Sequence, residues 1–526
     1  MMRFCLRVLI LSFFPWAAMA QSSFSVELKE KPTGYIPARH SGIAFGYGDY
    51  IVLMAGRKNG LHGYQPPTAF PLSGAADSIH AWRISDGALF SAGLSQLPLG
   101  VKEQLQSSNI LWCTNGDNLY IAGGYGYSSA NSDYVTWPFF TVVDIHQLTE
   151  NLSNGSSVAP AFRQITDSSL AITGGNMKYL DGIFYAVFGH RFDGHYSTSP
   201  SANFYQKYTN SVRRFSVIDT GSVLQIQHMS NWTDTAGFHR RDYNLAEQIF
   251  PDGSEGFTAF SGVFQYDADL PWYDGVDITP GGAVVNSQIN QQLNQYHTAL
   301  MTVHDSALNR MHTVFFGGMS AYYYDTTTSQ LVYDTLVPFV QTISMITREG
   351  NGSISESALP VRMPGLEGTN AEFIPLQNIS KRMEGVIRLN NISGKTLVGH
   401  IIGGITATEQ NVFLQNGDSY ASGKVYEVYL VPTGTQTPVQ VKEPYTVNLY
   451  PNPAGDETRV LVSGQTPDLS LRAALYSGHG RLIRDFGVQK PLNGEIILQL
   501  NSIPAGIYVI RVSGNGYGRA LRLIKK

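Results

Sequence analysis

A chain of 526 residues is far longer than one ordinary core requires, and only 14% of it is charged, against roughly 25% in a typical domain. Lysine and arginine number 36 against 40 aspartates and glutamates, a net charge of −4, which argues against a nucleic-acid binder and against a polybasic membrane-surface protein. A hydrophobic share of 43%, with 53 glycines, 29 tyrosines and 26 phenylalanines, argues against disorder and favours turns and aromatic-rich strands over long helices.

Residues 1–20 read as an export signal. Arg3 and Arg7 supply positive charge, Val8 to Trp16 are mostly apolar, and Ala18-Met19-Ala20 fits a small-x-small cleavage pattern, so the mature chain is expected to begin at Gln21. The apolar run is shorter than the about 20 residues of a spanning helix. Cleavage removes Cys5 and leaves Cys113 alone, so no internal disulfide is possible and the exported chain must hold together by burial. Cys113 lies in the apolar run Ile110-Leu111-Trp112-Cys113, where a buried structural thiol is expected rather than a nucleophile.

Next comes a repeat, an apolar strand that ends in glycine. Its instances are Ile51 to Gly56, Leu119 to Gly124, Phe184 to Gly189, Phe257 to Gly262, Thr313 to Gly318 and Val398 to Gly404. The final glycines stand 56 to 86 residues apart, room for four short strands and their loops. An earlier strand precedes several of them across an Asn-, Asp- or Gly-bearing hairpin turn. Arg39-His40-Ser41-Gly42-Ile43-Ala44-Phe45 leads to Gly48-Asp49, Ser108 to Cys113 leads to Asn115-Gly116-Asp117, and Tyr296 to Leu300 leads to a turn at His304-Asp305. Third strands are expected at Ser78 to Ile84, Phe139 to Ile145, Ser211 to Val217 and Lys424 to Leu430. A lone meander cannot bury both faces, but meanders set radially pack on each other, and a terminal glycine lets backbones approach near the crowded axis. An all-β propeller of six blades, over about residues 25 to 431, is the expectation; seven blades are compatible, and a pair of β-sandwiches is the rival fold. Arg39-His40-Ser41 followed by Ile51 to Gly56, with Ala122-Gly123-Gly124 and Phe316-Gly317-Gly318, resembles a Kelch-type β-propeller. The third and fourth repeats lack the full glycine doublet, and the late tryptophan of that family is not regular.

The chain then divides into a propeller over 21–431, a polar linker over 432–444 and a module over 445–526. Short alternating strands in the module, at Thr446 to Tyr450, Thr458 to Val462, Leu471 to Tyr476, Leu482 to Phe486, Glu495 to Leu500, Ile507 to Val512 and Ala520 to Ile524, suit a small Ig-like β-sandwich. Tyr450-Pro451-Asn452-Pro453-Ala454 opens it, Gly480-Arg481 marks a middle turn, Ala505-Gly506-Ile507-Tyr508 starts a strand, and Lys525-Lys526 ends the chain. These elements resemble the type A sorting domain of the type IX secretion system of Bacteroidetes, with an accessory Ig-like binding module as the alternative. The resemblance implies passage across both membranes by that machinery, removal of the domain, and release of the cargo or its attachment to surface lipopolysaccharide. Propeller and tag together resemble secreted Kelch-repeat proteins of Bacteroidetes, which implies a cell-surface or secreted location in a Gram-negative bacterium.

Strand parity puts the loop after each glycine element and the lead-in to each first strand on one rim. The post-glycine loops are rich in rings, from Tyr64, Tyr125, Tyr127 and Tyr134 to Tyr322, Tyr323 and Tyr324, which suit glycans, peptides and protein partners. Trp272 and Tyr273, beside Asp267, Asp269, Asp274 and Asp277, suit a sugar or a cationic ligand. Those acids could hold Ca²⁺, but their spacing departs from the calcium-loop pattern and solvated turn acids are favoured, so no cofactor is expected. His190, Arg191, Asp193 and His195 follow the third glycine element, and His239, Arg240, Arg241 and Asp242 enter the fourth repeat. Arg39, His40 and His297 enter others. Such groups could hold an anion or act as general acid and base, or simply bond neighbouring loop carbonyls. No His-Glu-x-x-His, Cys-x-x-Cys, Gly-x-Ser-x-Gly or Asp-box motif occurs, and Ser393-Gly394-Lys395-Thr396 lacks the first glycine of a phosphate loop, with Leu389 in its place. Binding of an extracellular glycan or protein ranks first, a polysaccharide-active enzyme second and a structural envelope component third.

Overall fold

The computed structural model describes residues 23–32, 36–266, 268–325, 330–412, 417–433, 446–463, 470–477, 482–514 and 517–526. The leader 1–20, most of the linker, Gly480-Arg481 and Asp267 lie outside them.

Apolar strands punctuated by tight turns form antiparallel meanders, and six of these follow one another along the chain. Blade 1 is Ile43–Tyr47, Tyr50–Met54, Ser78–Arg83 and Leu89–Gly93. Blade 2 is Leu111–Asn115, Asn118–Ala122, Phe139–Asp144 and Phe162–Thr166, and blade 3 is Asn176–Leu180, Ile183–Val187, Ser211–Asp219 and Leu224–His228. Blade 4 is Asn244–Ile249, Glu255–Phe260, Gly275–Thr279 and Gly282–Asn286, and blade 5 is Ala299–Asp305, Arg310–Met319, Phe339–Arg348 and Ile354–Arg362. Blade 6 takes Leu366–Pro375, Thr396–Ala407 and Val425–Pro432, and borrows its outer strand, Phe24–Glu30, from the start of the described chain. That strand pairs from Phe24 with Pro432 to Glu30 with Tyr426, which closes the circle with hydrogen bonds.

Hydrophobic burial closes the same circle. Phe45 and Ile79 meet Leu119 and Ile121 between blades 1 and 2, and Phe140 meets Phe184 and Phe215 between blades 2 and 3. Tyr185 meets Phe257 between blades 3 and 4, Phe260 meets Phe315 between blades 4 and 5, and Phe316 meets Ile401 and Val428 between blades 5 and 6. Ile374 and Val425 of blade 6 then pack with Ile51 and Trp82 of blade 1. Six interfaces joining six blades in a ring exclude the pair of sandwiches, and no seventh blade forms among the described residues.

The glycine element explains how the blades are bolted. Each second strand ends in two consecutive left-handed residues: Ala55-Gly56, Gly123-Gly124, Phe188-Gly189, Ser261-Gly262, Gly317-Gly318 and Gly403-Gly404, with φ from +47° to +95°. The first position tolerates a side chain; the second is glycine every time. At Gly189 the backbone N–H donates to Arg240 O of the next blade at 3.0 Å, and a Cβ there would lie 2.7 Å from Gly175 N and Thr173 O. The apparent loss of the doublet in repeats three and four is therefore a change of residue, not of conformation.

Three features depart from the sequence reading. Blade 5's first strand runs through His304-Asp305, so its turn falls later, at Ser306 to Asn309. Two helices, Leu99–Leu105 and Ile145–Asn154, pack Val101, Leu105, Leu148 and Leu152 into the cluster between blades 1 and 2. Three post-glycine loops are themselves hairpins: Tyr125–Ser128 with Asp133–Thr136, His190–Asp193 with Tyr205–Tyr208, and Tyr322–Tyr324 with Leu331–Tyr333.

The C-terminal module is a sandwich of two sheets. Thr446–Tyr450, Glu457–Ser463 and Glu495–Gln499 form one; Leu482–Gln489, Leu471–Ser477, Gly506–Gly514 and Tyr517–Lys525 form the other. Val460, Leu475, Leu498, Ile510 and Leu523 are buried between them.

Candidate functional site

The lead-in to each first strand of blades 1 to 5 carries one left-handed residue, Ser41, Asn109, Gly174, Asp242 and His297, and Asn370 takes that place within the first strand of blade 6, with φ between +25° and +64°. Four backbone hydrogen bonds link successive members around the axis, from Asn109 N to Ser41 O, Gly174 N to Asn109 O, Asp242 N to Gly174 O and Asn370 N to His297 O, at 2.6–3.1 Å. These residues frame the mouth of the channel, and the post-glycine loops rise around it.

Arg241 and Asp242 form the charged part of that mouth. Asp242 is buried and accepts a hydrogen bond from Tyr296 Oη at 3.1 Å, with Arg241 Nη1 at 3.7 Å from the same oxygen. The guanidinium lies over Phe264, 4.2 Å from the ring centre, and keeps 19% of its side chain exposed. Its Nε has no hydrogen-bond partner. Burial opposes its charge, but Asp242 with Tyr208, Tyr296 and Tyr196 outweighs that and raises its pKa. Burial, with Asp242 beside it, lifts the Tyr296 phenol well above its ordinary value, so Tyr296 stays a donor. His62 of blade 1 feels both Arg241 and Asp242 of blade 4 across the opening, and burial foremost, then Arg241 and Arg57, lower the pKa of its imidazole. Loops far apart in sequence thus share one electrostatic neighbourhood.

The other sequence-named residues divide between mouth and scaffold. Arg240 is fully buried, and its guanidinium is spent on Gly237 O, Ser261 O, Asp274 O and the Asp274 carboxylate at 2.6–3.1 Å. His190 is buried; its Nδ1 accepts from Gln206 Nε2 at 2.7 Å, and burial first, then Arg241 and His239, holds its pKa well below the usual range. Asp193 accepts from Thr136 N at 2.9 Å and pairs with Arg191 at 2.6 Å, which pins the hairpin. His195 Nε2 donates to Ala69 O at 2.8 Å and stacks on Tyr134. His239 is sandwiched between Tyr208 and Tyr266, with ring centres at 3.7 and 4.0 Å. Trp272 is half-buried against Arg240, 4.8 Å from the ring centre, and Tyr273 turns its edge toward Tyr322. Arg39 and His40 likewise bond loop carbonyls. Asp274 is committed to Arg240 and Asp277 to Arg348, and no group of three or more metal-ligating side chains stands together among the described residues. A cavity of about 90 Å³ elsewhere on the rim, lined by Tyr64, Met319, Leu336 and Phe339 among others, contains no acid or cation.

A second polar group went unread in the sequence. Below the mouth, Lys178 of blade 3 pairs with Glu247 of blade 4 at 2.6 Å, and Glu372 of blade 6 faces that pair across the axis. Burial, set against Lys178, pushes the Glu372 carboxyl up to about 7. Nearby, burial lifts the Cys113 thiol to about 12, so it is an inert packing group. The hairpin of Lys381–Met383 and Val386–Arg388 reaches into the channel here. Val386 to Arg388 pair in parallel with Thr302 to His304 on the inner edge of blade 5, and a Cβ at Gly385 would lie 2.8 Å from the Glu247 carboxyl carbon. Isolated acids in different repeats carry no spacing signal, so only the strand-one parity of a known propeller would have found them.

In the C-terminal module the motif residues meet one another. Asn452 Nδ2 donates to Arg522 O at 2.7 Å and its Oδ1 accepts from Ile524 N at 2.9 Å, so one side chain imitates a strand along the last edge. Beyond Pro453, Ala454 continues the pairing through its N–H to Ile524 O and its carbonyl from Lys526 N. Lys525 Nζ reaches Asp456 at 3.1 Å, Pro451 O accepts from Thr458 Oγ1 at 2.9 Å, and Tyr508 Oη donates to Pro504 O at 2.9 Å. At Gly506 a Cβ would lie 3.3 Å from the Tyr508 ring.

No curated protein matches the chain. Among solved structures the chain is similar to that of YjhT, with a TM-score of 0.40 and 10% identity, over 74% of this chain and 99% of that one. Residues 448–526 match the family described as the secretion system C-terminal sorting domain, so the chain carries a type IX secretion tag that engages that machinery and sends it to the cell surface or the medium.

Proposed function

We propose that the exported protein is a Kelch-type propeller of a Bacteroidetes cell surface, released or attached to lipopolysaccharide once its tag is removed. In this reading it binds an extracellular glycan or protein partner at the channel mouth. One observation carries it: Arg241 and Asp242, a donor fork and an acceptor carboxylate, lie side by side among rings at a place where loops of blades 1, 3, 4 and 5 converge. Sugar hydroxyls accept as well as donate, so the Arg241 guanidinium, held by Asp242 behind it, can donate to one, while Phe264, Tyr208 and the His239–Tyr266 stack supply flat apolar area. Calcium has no assigned place in this site.

The test is a glycan-array screen of the mature protein, with and without Ca²⁺, repeated with Arg241→Ala and Tyr273→Ala. Arg241→Ala is expected to lose capture while still unfolding cooperatively, and an effect of Ca²⁺ would reopen the acidic loop around Asp269. Undiminished capture by Arg241→Ala would remove the mouth as the binding site.

A second reading, a polysaccharide-active enzyme, draws support from Glu372 with its raised pKa opposite the Lys178–Glu247 pair, since acid–base chemistry on a glycan needs carboxyls held in different protonation states. Turnover of a captured polysaccharide that Glu372→Gln abolishes, with capture intact, would favour it.

A further inference from the structure

The two outward faces of the C-terminal sandwich differ in kind. On the three-stranded sheet the outward side chains satisfy each other: Arg459 pairs with Glu457 and Glu495 at 3.4 and 3.0 Å, and Gln499 donates to Glu457 at 2.9 Å. On the four-stranded sheet one such pair, Arg472 with Asp485, sits toward one end, and the rest of the described face, Arg522 apart, is apolar. Leu482, Tyr476, Val509 and Arg522 stand opposite one another in register across all four strands, and Ile507 faces Ile524 in the next row. Neighbours in such rows have Cβ atoms about 5 Å apart, so these side chains make one patch. Leu482 is 49% exposed, Ile507 54% and Ile524 37%, while the inward faces of the same strands are spent on the module's own core. Arg522 and Lys526 border the patch and have no acidic partner among the described residues.

Charge indicates the occupant. Residues 446–526 contain ten lysines and arginines against five aspartates and glutamates, which leaves 26 of the chain's 36 basic residues and 35 of its 40 acidic residues to everything else. An acidic partner is drawn to the tag and repelled by the cargo, so it selects the module without adhering to the propeller. We propose that the Leu482–Tyr476–Val509 row with Ile507 and Ile524 is the docking face for the export machinery, and that the machinery meets it with a protein surface that is apolar at its centre and acidic at its rim. The proposal rests on the sorting role of the module. The recognised motif supports the face indirectly: Asn452 and Ala454 occupy the open edge of the last strand, so Ile524 and Arg522 are held flat in the sheet.

The experiment follows the full-length chain in the producing bacterium, with the cell exterior and periplasm assayed separately. Ile507→Thr with Ile524→Thr, and separately Arg522→Glu, are expected to lower the external fraction by at least about tenfold. Ile497→Thr, on the opposite face, is expected to be exported like the parent, and thermal unfolding of the purified full chains establishes that each variant folds. If the double threonine variant unfolds, Arg522→Glu decides alone. Normal export of the folded face variants, or equal impairment of Ile497→Thr, would overturn the proposal. So would binding of the purified chain to phosphatidylethanolamine–phosphatidylglycerol vesicles, or its dimerisation, if either is lost in the face variants, since the patch would then belong to a membrane or a second copy. Deletion of 445–526 is the reference: if the truncated chain is exported too, the sorting role itself fails, whereas blocked export of the deletion with exported face variants sinks only the face.

Discussion

The propeller mouth and the C-terminal sandwich use their sequence motifs in the same way and expose opposite surfaces. The glycine doublets of the propeller bolt one blade to the next, and Asn452 and Ala454 of the module cover a strand edge. In both regions the recognisable residues are architecture, because a fixed backbone conformation constrains residue type more tightly than a surface does. The side chains left to meet a partner differ. The mouth offers a charged pair set among rings, whereas the module offers an apolar row with a basic border. Adjacent residues show the division most sharply: Arg240 is entirely consumed by its own blade, and Arg241 keeps a face at the opening.

The largest effect should come from removing the module. Deletion of 445–526 is expected to abolish the external form and leave the chain in the periplasm, measured by fractionation and immunoblotting. Its normal appearance outside would break the comparison at once, because the module would have no addressing role. Next is the Arg240 and Arg241 pair. Arg240→Ala strands the Asp274 carboxylate and three carbonyls and should cost about 3–5 kcal/mol in chemical denaturation, whereas Arg241→Ala leaves Asp242 its Tyr296 donor and should cost less, about 1–2 kcal/mol. Equal losses would erase the distinction between scaffold and mouth. Then come the motifs. Gly189→Ala forces a side chain onto neighbouring backbone and should cost about 2–4 kcal/mol, while Phe188→Gly, at the permissive first position, leaves the backbone unstrained and costs about 3–5 kcal/mol through the loss of a fully buried ring. Asn452→Ala frees a strand edge and should cost about 1–2 kcal/mol in the module's unfolding transition.

Much of the architecture was legible because strand alternation and glycine-ended repeats follow directly from backbone geometry. Third strands at Ser78, Phe139 and Ser211 start where they were expected, and the lead-ins with the post-glycine loops do share one rim. The rim hairpins were less legible, since Tyr-rich loops give no clear alternation; Leu99–Leu105 is too short to show a helical period, whereas Ile145–Asn154, with Ile145, Leu148 and Leu152 on one face between the Asp144 cap and Gly155, carried a signal that the strand expected through Ile145 obscured. At the site, residue identity was readable but accessibility was not. Arg240 and Arg241 are indistinguishable in sequence; one residue of phase in a left-handed lead-in sends them in opposite directions. The lumen group was invisible for a related reason: Lys178, Glu247 and Glu372 are ordinary polar residues whose meeting depends on three blades closing around an axis.

That lumen group yields the smallest effect, and its sign is opposite to that of the buried histidines. Burial holds His40 at about 3 and His80, His304, His312 and His400 at about 4, below the unfolded value of 6.5. The unfolded chain therefore binds more protons below pH 6.5, and the stability these neutral imidazoles contribute is lost as pH falls from about 6.5 toward 4. Glu372 works the other way. Its folded value of about 7 lies above the unfolded 4.5, so its contribution is full below about pH 4.5 and is lost as pH rises through 7. Glu356, lifted to about 7 by burial, acts in the same sense. With more imidazoles than raised carboxyls, stability should climb from pH 4 to 6.5. Glu372→Gln removes one opposing group, so the climb should steepen, with little change at pH 4 and a gain at pH 8 held to the order of 1 kcal/mol because solvent screens part of the charge of a carboxyl that is only partly buried. Urea denaturation of parent and variant at the two pH values measures this, and a variant weaker than the parent at pH 8 would mean that the ionised Glu372 has a stabilising partner and that the lumen does not hold it as a lone acid facing the Lys178–Glu247 pair.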